Sequence, residues 1–147
     1  MFVVKVPCVN GFGKTNGCAV AGNSVLEALK EIHANEQGGS IDINLLDLEE
    51  IHLDNNNLHL TNMLIYDNCL KIFETKSKTI FLGGDHSITY SIGKAFLKNC
   101  SKIGKKPCLI VFDAHPDCMR SVDYKFPTHK EWLRALVESG FSPEDIF

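Results

Sequence analysis

Apolar and polar positions along the chain switch repeatedly between two periods. FVVKV (2–6) is β-branched or aromatic except for Lys5 and stops at Pro7, which predicts a short strand. After a glycine-rich loop, SVLEALKEI (24–32) spaces Val25, Leu29 and Ile32 along one helical face, and Ser24 with Glu27 forms an S-x-x-E capping box at its start. IDINLLDL (41–48) alternates like a strand, and DNNN (54–57) predicts a turn. Residues 61–74 then place Met63, Tyr66, Leu70 and Phe73 at helical spacing.

The second half repeats the alternation. KTIFLGGDHS (78–87) is an apolar strand over 79–82 that opens into a Gly-Gly turn. Ser87 is placed to cap a helix running to about Asn99, with Ile88, Ile92, Ala95 and Phe96 inward. SKIGKKP (101–107) predicts a loop, and the unbroken apolar run CLIVF (108–112) a strand buried on both faces. HKEWLRALVESG (129–140) predicts a last helix with Trp132, Leu133, Leu136 and Val137 as its stripe and Gly140 as its stop. Strands separated by helices imply right-handed βαβ units on a parallel sheet, so the fold class is α/β. No internal repeat, linker or low-complexity segment interrupts the pattern.

Composition narrows the class without naming a chemistry. A length of 147 residues suits one domain over 1–147, and 44% apolar with 22% charged residues is ordinary for a globular protein. A net charge of -3 leaves no basic footprint for nucleic acid or an anionic membrane, and Lys102, Lys105 and Lys106 read as a solvated loop. No window reaches the length of a membrane span, and the opening residues lack the apolar stretch of a signal peptide. The six cysteines (8, 18, 69, 100, 108, 118) form no C-x-x-C pair, which suits reduced thiols. The expectation is a cytoplasmic protein with neither nucleic-acid nor membrane partners.

Two polar motifs follow predicted strands: GGDHS (83–87) and DAHPD (113–117). In an open parallel sheet, ligands gather beyond the carboxyl ends of the strands. If 79–112 is one crossover unit, His86 converges there with Asp113, His115 and Asp117, and alternation in an extended segment turns 113, 115 and 117 to one face. Imidazoles and carboxylates without a thiolate at ligand spacing suit a divalent ion such as manganese. Asp113 could bridge two ions about 3.5–4 Å apart, as in two-metal hydrolases. The plainer alternative is that Asp113 and Asp117 cap a turn and His115 is a surface histidine. It would account for one such residue, but four at two strand ends favour the metal.

These two motifs, in this order, resemble those of the ureohydrolases, the family of arginase, agmatinase and formimidoylglutamase. NGCAVAGNSVLEALKEI (16–32) is similar, more weakly, to that family's first loop and helix. The resemblance implies a three-layer α/β/α sandwich with a parallel sheet, here incomplete at its C-terminal side. It also implies a binuclear Mn2+ centre whose metal-bridging hydroxide attacks a small guanidino or formimino substrate, releasing urea or formamide. Carried over by residue, His86 resembles a ligand of the first metal, Asp117 another, Asp113 the bridging carboxylate at the catalytic centre, and His115 a ligand of the second metal. Asp85 is placed to orient its neighbours. His129 stands where the family often carries an active-site histidine, a catalytic candidate as proton shuttle; its alternative is a polar residue in the first turn of an amphipathic helix. Homo-oligomers are common in the family, so self-assembly is expected.

The chain departs from the family in one respect. The later D-x-D signature does not occur in these 147 residues, and DLEEIHLD (47–54) is acidic but upstream and of another pattern. The expectation is the front half of a ureohydrolase, with an unpaired sheet edge and only His115 and Asp113 for a second metal. Two readings remain: a manganese-dependent hydrolase of linear amidines, agmatinase- or arginase-like, and a non-catalytic fragment with a partial metal site that acts, if at all, through another chain. CVNGFGKT (8–15) approximates a phosphate-binding loop, but Cys8 replaces its first glycine and NGCAVAGN cannot continue as the required helix. Lys14 and Thr15 are expected at the loop surface, and Cys118 as a bystander.

Overall fold

The computed structural model describes residues 1–39, 42–120 and 125–147. Strand β1 (Phe2–Val6) is the middle of a parallel sheet ordered β2-β1-β3, with β2 at Asp47–Glu50 and β3 at Thr79–Gly83. Phe2 is in register with both Asp47 and Thr79. The pattern of apolar residues explains the order. β1, nearly all apolar, has Val4 and Val6 fully buried, whereas the acidic β2 is exposed throughout as an edge. Lys5 escapes burial of its charge by pairing with Glu50 at 2.5 Å, its register partner on β2.

Helix α1 (Ala21–Leu29) lies against β1 and β3. It starts three residues before the predicted capping box because a 3-10 turn, Asn16–Val20, runs directly into it. Ser24 is therefore inside the helix, its hydroxyl donating to the Val20 carbonyl. The buried line is accordingly Gly22 and Leu26; Val25 and Ile32, predicted inward, are 43% and 44% exposed. The sheet's other face is covered by α2 (Leu58–Thr75) and α3 (Ile88–Lys102), which pack on each other. Asn57, at the end of the predicted turn, caps α2 by accepting from Leu60 N at 3.1 Å. α2 buries Thr61, Ile65, Cys69 and Ile72, a line one position away from the predicted one; Tyr66, Leu70 and Phe73 flank it, and Met63 is exposed. α3 runs three residues past Asn99. No helix among the described residues is long and apolar enough to cross a membrane.

CLIVF does not become a buried central strand. Its backbone pairs with the last residues instead, Leu109 N to Asp145 O at 2.8 Å and Phe147 N to Leu109 O at 2.9 Å, in a single parallel bridge between Leu109 and Ile146. Leu109 and Val111 pack on a second core of Tyr90, Trp132, Ala135, Leu136 and Phe141, built around α4 (Trp132–Glu138). Ile110 and Phe112 point the other way and are 62% and 97% exposed. An apolar run records readiness for burial on two faces; here one face is covered. The outer edge of β3, where the crossover reading placed 108–112, has no strand partner among the described residues. α4 is shorter than the predicted 129–140, and Gly140, at φ +107, ends it in the left-handed conformation that glycine tolerates best.

Candidate metal centre

The loop after β3 is built onto the end of β1. Gly84 N donates to Val6 O at 2.9 Å and Asp85 N to Cys8 O at 3.0 Å. A Cβ on residue 84 would overlap the Cys8 carbonyl, so this approach requires glycine. Asp85 is 6% exposed, and four donors converge on its carboxylate. Oδ2 accepts from Asn10 N and from Thr15 Oγ1, each at 2.7 Å, and Oδ1 from Ser87 N at 3.0 Å and from the Ser87 hydroxyl. Two expectations change. Thr15 is a partner of Asp85 rather than loop surface, and the Ser87 hydroxyl serves Asp85 rather than capping α3. Behind the loop, burial pushes the Cys8 thiol up to about 12, with the Asp85 charge adding to the effect and the Ser87 hydrogen bond opposing it.

The second loop is not extended. Asp113 Oδ1 accepts from His115 N at 2.9 Å, closing a turn. That bond, with the nearby His86 and His115 rings adding attraction, holds the Asp113 carboxyl below its ordinary range, against some desolvation. Pro116 follows, and Asp117 sits at φ +42 in the left-handed region that aspartate tolerates better than most residues. The turn brings Asp113 and Asp117 together and leaves His115 outside. His86 Nδ1 lies 2.8 Å from Asp113 Oδ2 and 3.0 Å from Asp117 Oδ2, whereas the His115 side chain is 80% exposed with its Nδ1 3.4 Å from Asp113 Oδ1. The predicted common face of 113, 115 and 117 is thus replaced by a pair. The plainer alternative was right that Asp113 caps a turn and that His115 is at the surface.

One donor atom each from His86, Asp113 and Asp117 lies within 4.8 Å of the others, within reach of a single divalent ion. An imidazole and two carboxylates without a thiolate fit a hard or borderline cation of the manganese kind. For a second ion, Asp113 and His115 are the donors at hand among the described residues.

Two further residues complete the surroundings. Trp132, predicted only as part of a buried stripe, donates its Nε1–H to Asp117 Oδ2 at 2.9 Å and lies with its ring 4.6 Å from that of His86. A buried tryptophan in a sequence shows its apolar body but not where its N–H goes. His129 precedes α4, in a turn where Thr128 N donates to Glu131 Oε2, rather than in the helix's first turn. It lines, with His115, Asp117 and Met119, a cavity of about 510 Å³, and its Nδ1 is enclosed without a hydrogen-bond partner among the described residues.

Comparison with known proteins places the chain. The model of the arginase family matches residues 1–147. Formimidoylglutamase of Halalkalibacterium halodurans is 32% identical over 106 residues, 67% of this chain and 32% of that protein. The mitochondrial arginase of Medicago truncatula is 28% identical over 83 residues, 56% of this chain and 24% of that one. Among solved structures, a putative agmatinase from Clostridium difficile superposes with a TM-score of 0.79 at 17% identity, over 99% of this chain and 52% of that one. Formimidoylglutamase from Bacillus subtilis gives 0.77 at 22% identity, over 98% and 45%. The chain spans about a third or less of the curated relatives' length and about half of the structural neighbours'. It belongs to the arginase family.

Proposed function

We propose that this chain carries the first metal-holding loops of a manganese-dependent hydrolase of linear amidines, acting on guanidino or formimino C–N bonds. The convergence of His86, Asp113 and Asp117 carries the reading; the arginase-family match and the likeness to a formimidoylglutamase support it. His86, Asp113 and Asp117 would hold one ion, and Asp113 with His115 would face a second. The ion's contribution when bound is Lewis-acid polarisation and activation of water near neutral pH. Asp113, kept ionised by the His115 N–H, would offer carboxylate oxygen to an ion held there. His129 lines the cavity beside His115 and Asp117, where an imidazole could pass a proton to a departing amine.

One observation favours the second reading, a partial site that needs another polypeptide: among the described residues the second position has two donors, one of them on the largely exposed His115. Purified protein incubated with manganese and arginine, agmatine or formiminoglutamate separates the two. Urea or formamide release that disappears in His86→Ala and His115→Ala supports catalysis by this chain; manganese binding without release supports the partial site. We further propose one arginase-like unit over 1–147. A cytoplasmic setting accords with six unpaired cysteines, and self-association with the bared Ile110 and Phe112. A concentration-independent monomer in size-exclusion chromatography would contradict the last point.

A further inference from the structure

CVNGFGKT, which resembles a phosphate-binding loop without being one, has a different use in this fold. A backbone N–H and a side-chain hydroxyl of this loop converge on Asp85, which lies outside the cluster of His86, Asp113 and Asp117. Asp85 Oδ1 with Ser87 N closes an Asx turn whose middle residue is His86. Oδ2 of the same carboxylate is gripped by Asn10 N and Thr15 Oγ1. The Asn10 side chain then donates to Phe126 O at 3.0 Å and Pro127 O at 3.1 Å, just ahead of the Thr128–Glu131 turn that carries His129. The carboxylate is buried and its hydrogen-bond partners among the described residues are neutral donors, so its use here is to fix geometry rather than to balance a cation.

We propose that Asp85, held by Thr15 and the Asn10 backbone, is a positioning residue for the metal site: it sets the turn that aims His86, and Asn10 ties that turn to the segment bearing His129. The inference rests on the metal reading above. It goes beyond that reading because the residues involved lie outside the ligand cluster. Aiming a ligand from behind is a common device, and losing such a partner typically weakens metal binding about 10–100-fold.

The test is manganese affinity, read by quenching of Trp132, the chain's one tryptophan, which touches both His86 and Asp117. Thr15→Val removes the hydroxyl and keeps the shape; about tenfold weaker binding is expected. Thr15→Ser restores the hydroxyl and should bind within about twofold of the unsubstituted chain, a rescue that a packing role would not give. Thr61→Val is the control. It removes a hydroxyl bonded to Asp54 O at 2.7 Å, far in the chain from the ligand loops, and should leave the affinity unchanged. Should Thr15→Val keep full affinity, or Thr15→Ser be as weak as the valine variant, the positioning role is overturned. No binding by the unsubstituted chain would instead sink the metal reading itself, so the two failures are distinguishable.

Discussion

The two loops that face each other across the candidate metal centre are built in opposite ways. The first, 83–87, is welded to its surroundings: backbone bonds to Val6 and Cys8, a glycine that only a bare Cα permits, and a buried carboxylate with four donors. The second, 113–117, rests on its own turn, a left-handed aspartate and one indole N–H, and it follows a segment whose Ile110 and Phe112 face outward. Motifs that look alike as strings thus differ in how firmly the fold holds them. The ligand on the first loop is pre-set, while on the second only the residues reached by Trp132 or by the turn are drawn in.

That contrast can be broken by substitution. The largest effect is expected at Asp85. Asp85→Ala strands four donors behind the first loop and should cost about 3 kcal/mol in urea denaturation, since each buried orphan costs about 1–3 kcal/mol before relaxation. Asp113→Ala, in the second loop, should leave the denaturation midpoint nearly unchanged; equal losses would erase the distinction. Next come the aspartate and histidine of the second loop. Asp117→Ala should weaken manganese binding by more than about 100-fold, beyond the range typical of an orienting partner, and His115→Ala by about threefold or less. A His115 effect as large as that of Asp117 would show that the exposed histidine is recruited on binding.

A smaller change is expected from Trp132→Phe, which keeps a ring against His86 but removes the donor to Asp117. Affinity should fall about tenfold, and stability by about 1–2 kcal/mol. The smallest signal is chemical and compares Cys8, behind the first loop, with Cys118, on the second. Cys118 is exposed and should react promptly with a thiol reagent at pH 8, whereas Cys8 should react only on unfolding. The Cys8 and Cys69 thiols are raised from 9.0 to about 12 by burial. Their folded values lie above the unfolded one, so stability is undiminished below about pH 9 and declines as pH rises from there toward 12. Denaturation at pH 8 and pH 10.5 checks the sign.

The places where reading the sequence worked, and where it did not, follow the same division. β1, β3 and the turn before α2 were legible because their cues are local: a β-branched run, a Gly-Gly opening, an Asp-Asn cluster. His86, Asp113 and Asp117 were legible as a group from their two motifs, although the route expected for their meeting, 108–112 as a sheet strand beside β3, is not the one found among the described residues. The start of α1 was misread because a preceding 3-10 turn outweighed the capping box at Ser24. The pairing of 108–112 was misread because an apolar run states what a segment can bury, not what is present to cover it. His115 was misplaced by assuming an extended chain where Asp113 closes a turn. Asn10 escaped notice, and the partners of Thr15 and Trp132 did, because their roles are hydrogen bonds that reach Asp85 across 75 and 70 residues of chain and Asp117 across 15. No periodicity records such bonds.

The central claim is that His86, Asp113 and Asp117 grip one divalent ion. Titrating the folded protein with manganese while following Trp132 emission tests it most directly, with His86→Ala alongside. Saturable quenching at one ion per chain, lost in the alanine variant, is expected. Absence of saturable quenching in the unsubstituted protein, or unchanged quenching without the imidazole of His86, would contradict it.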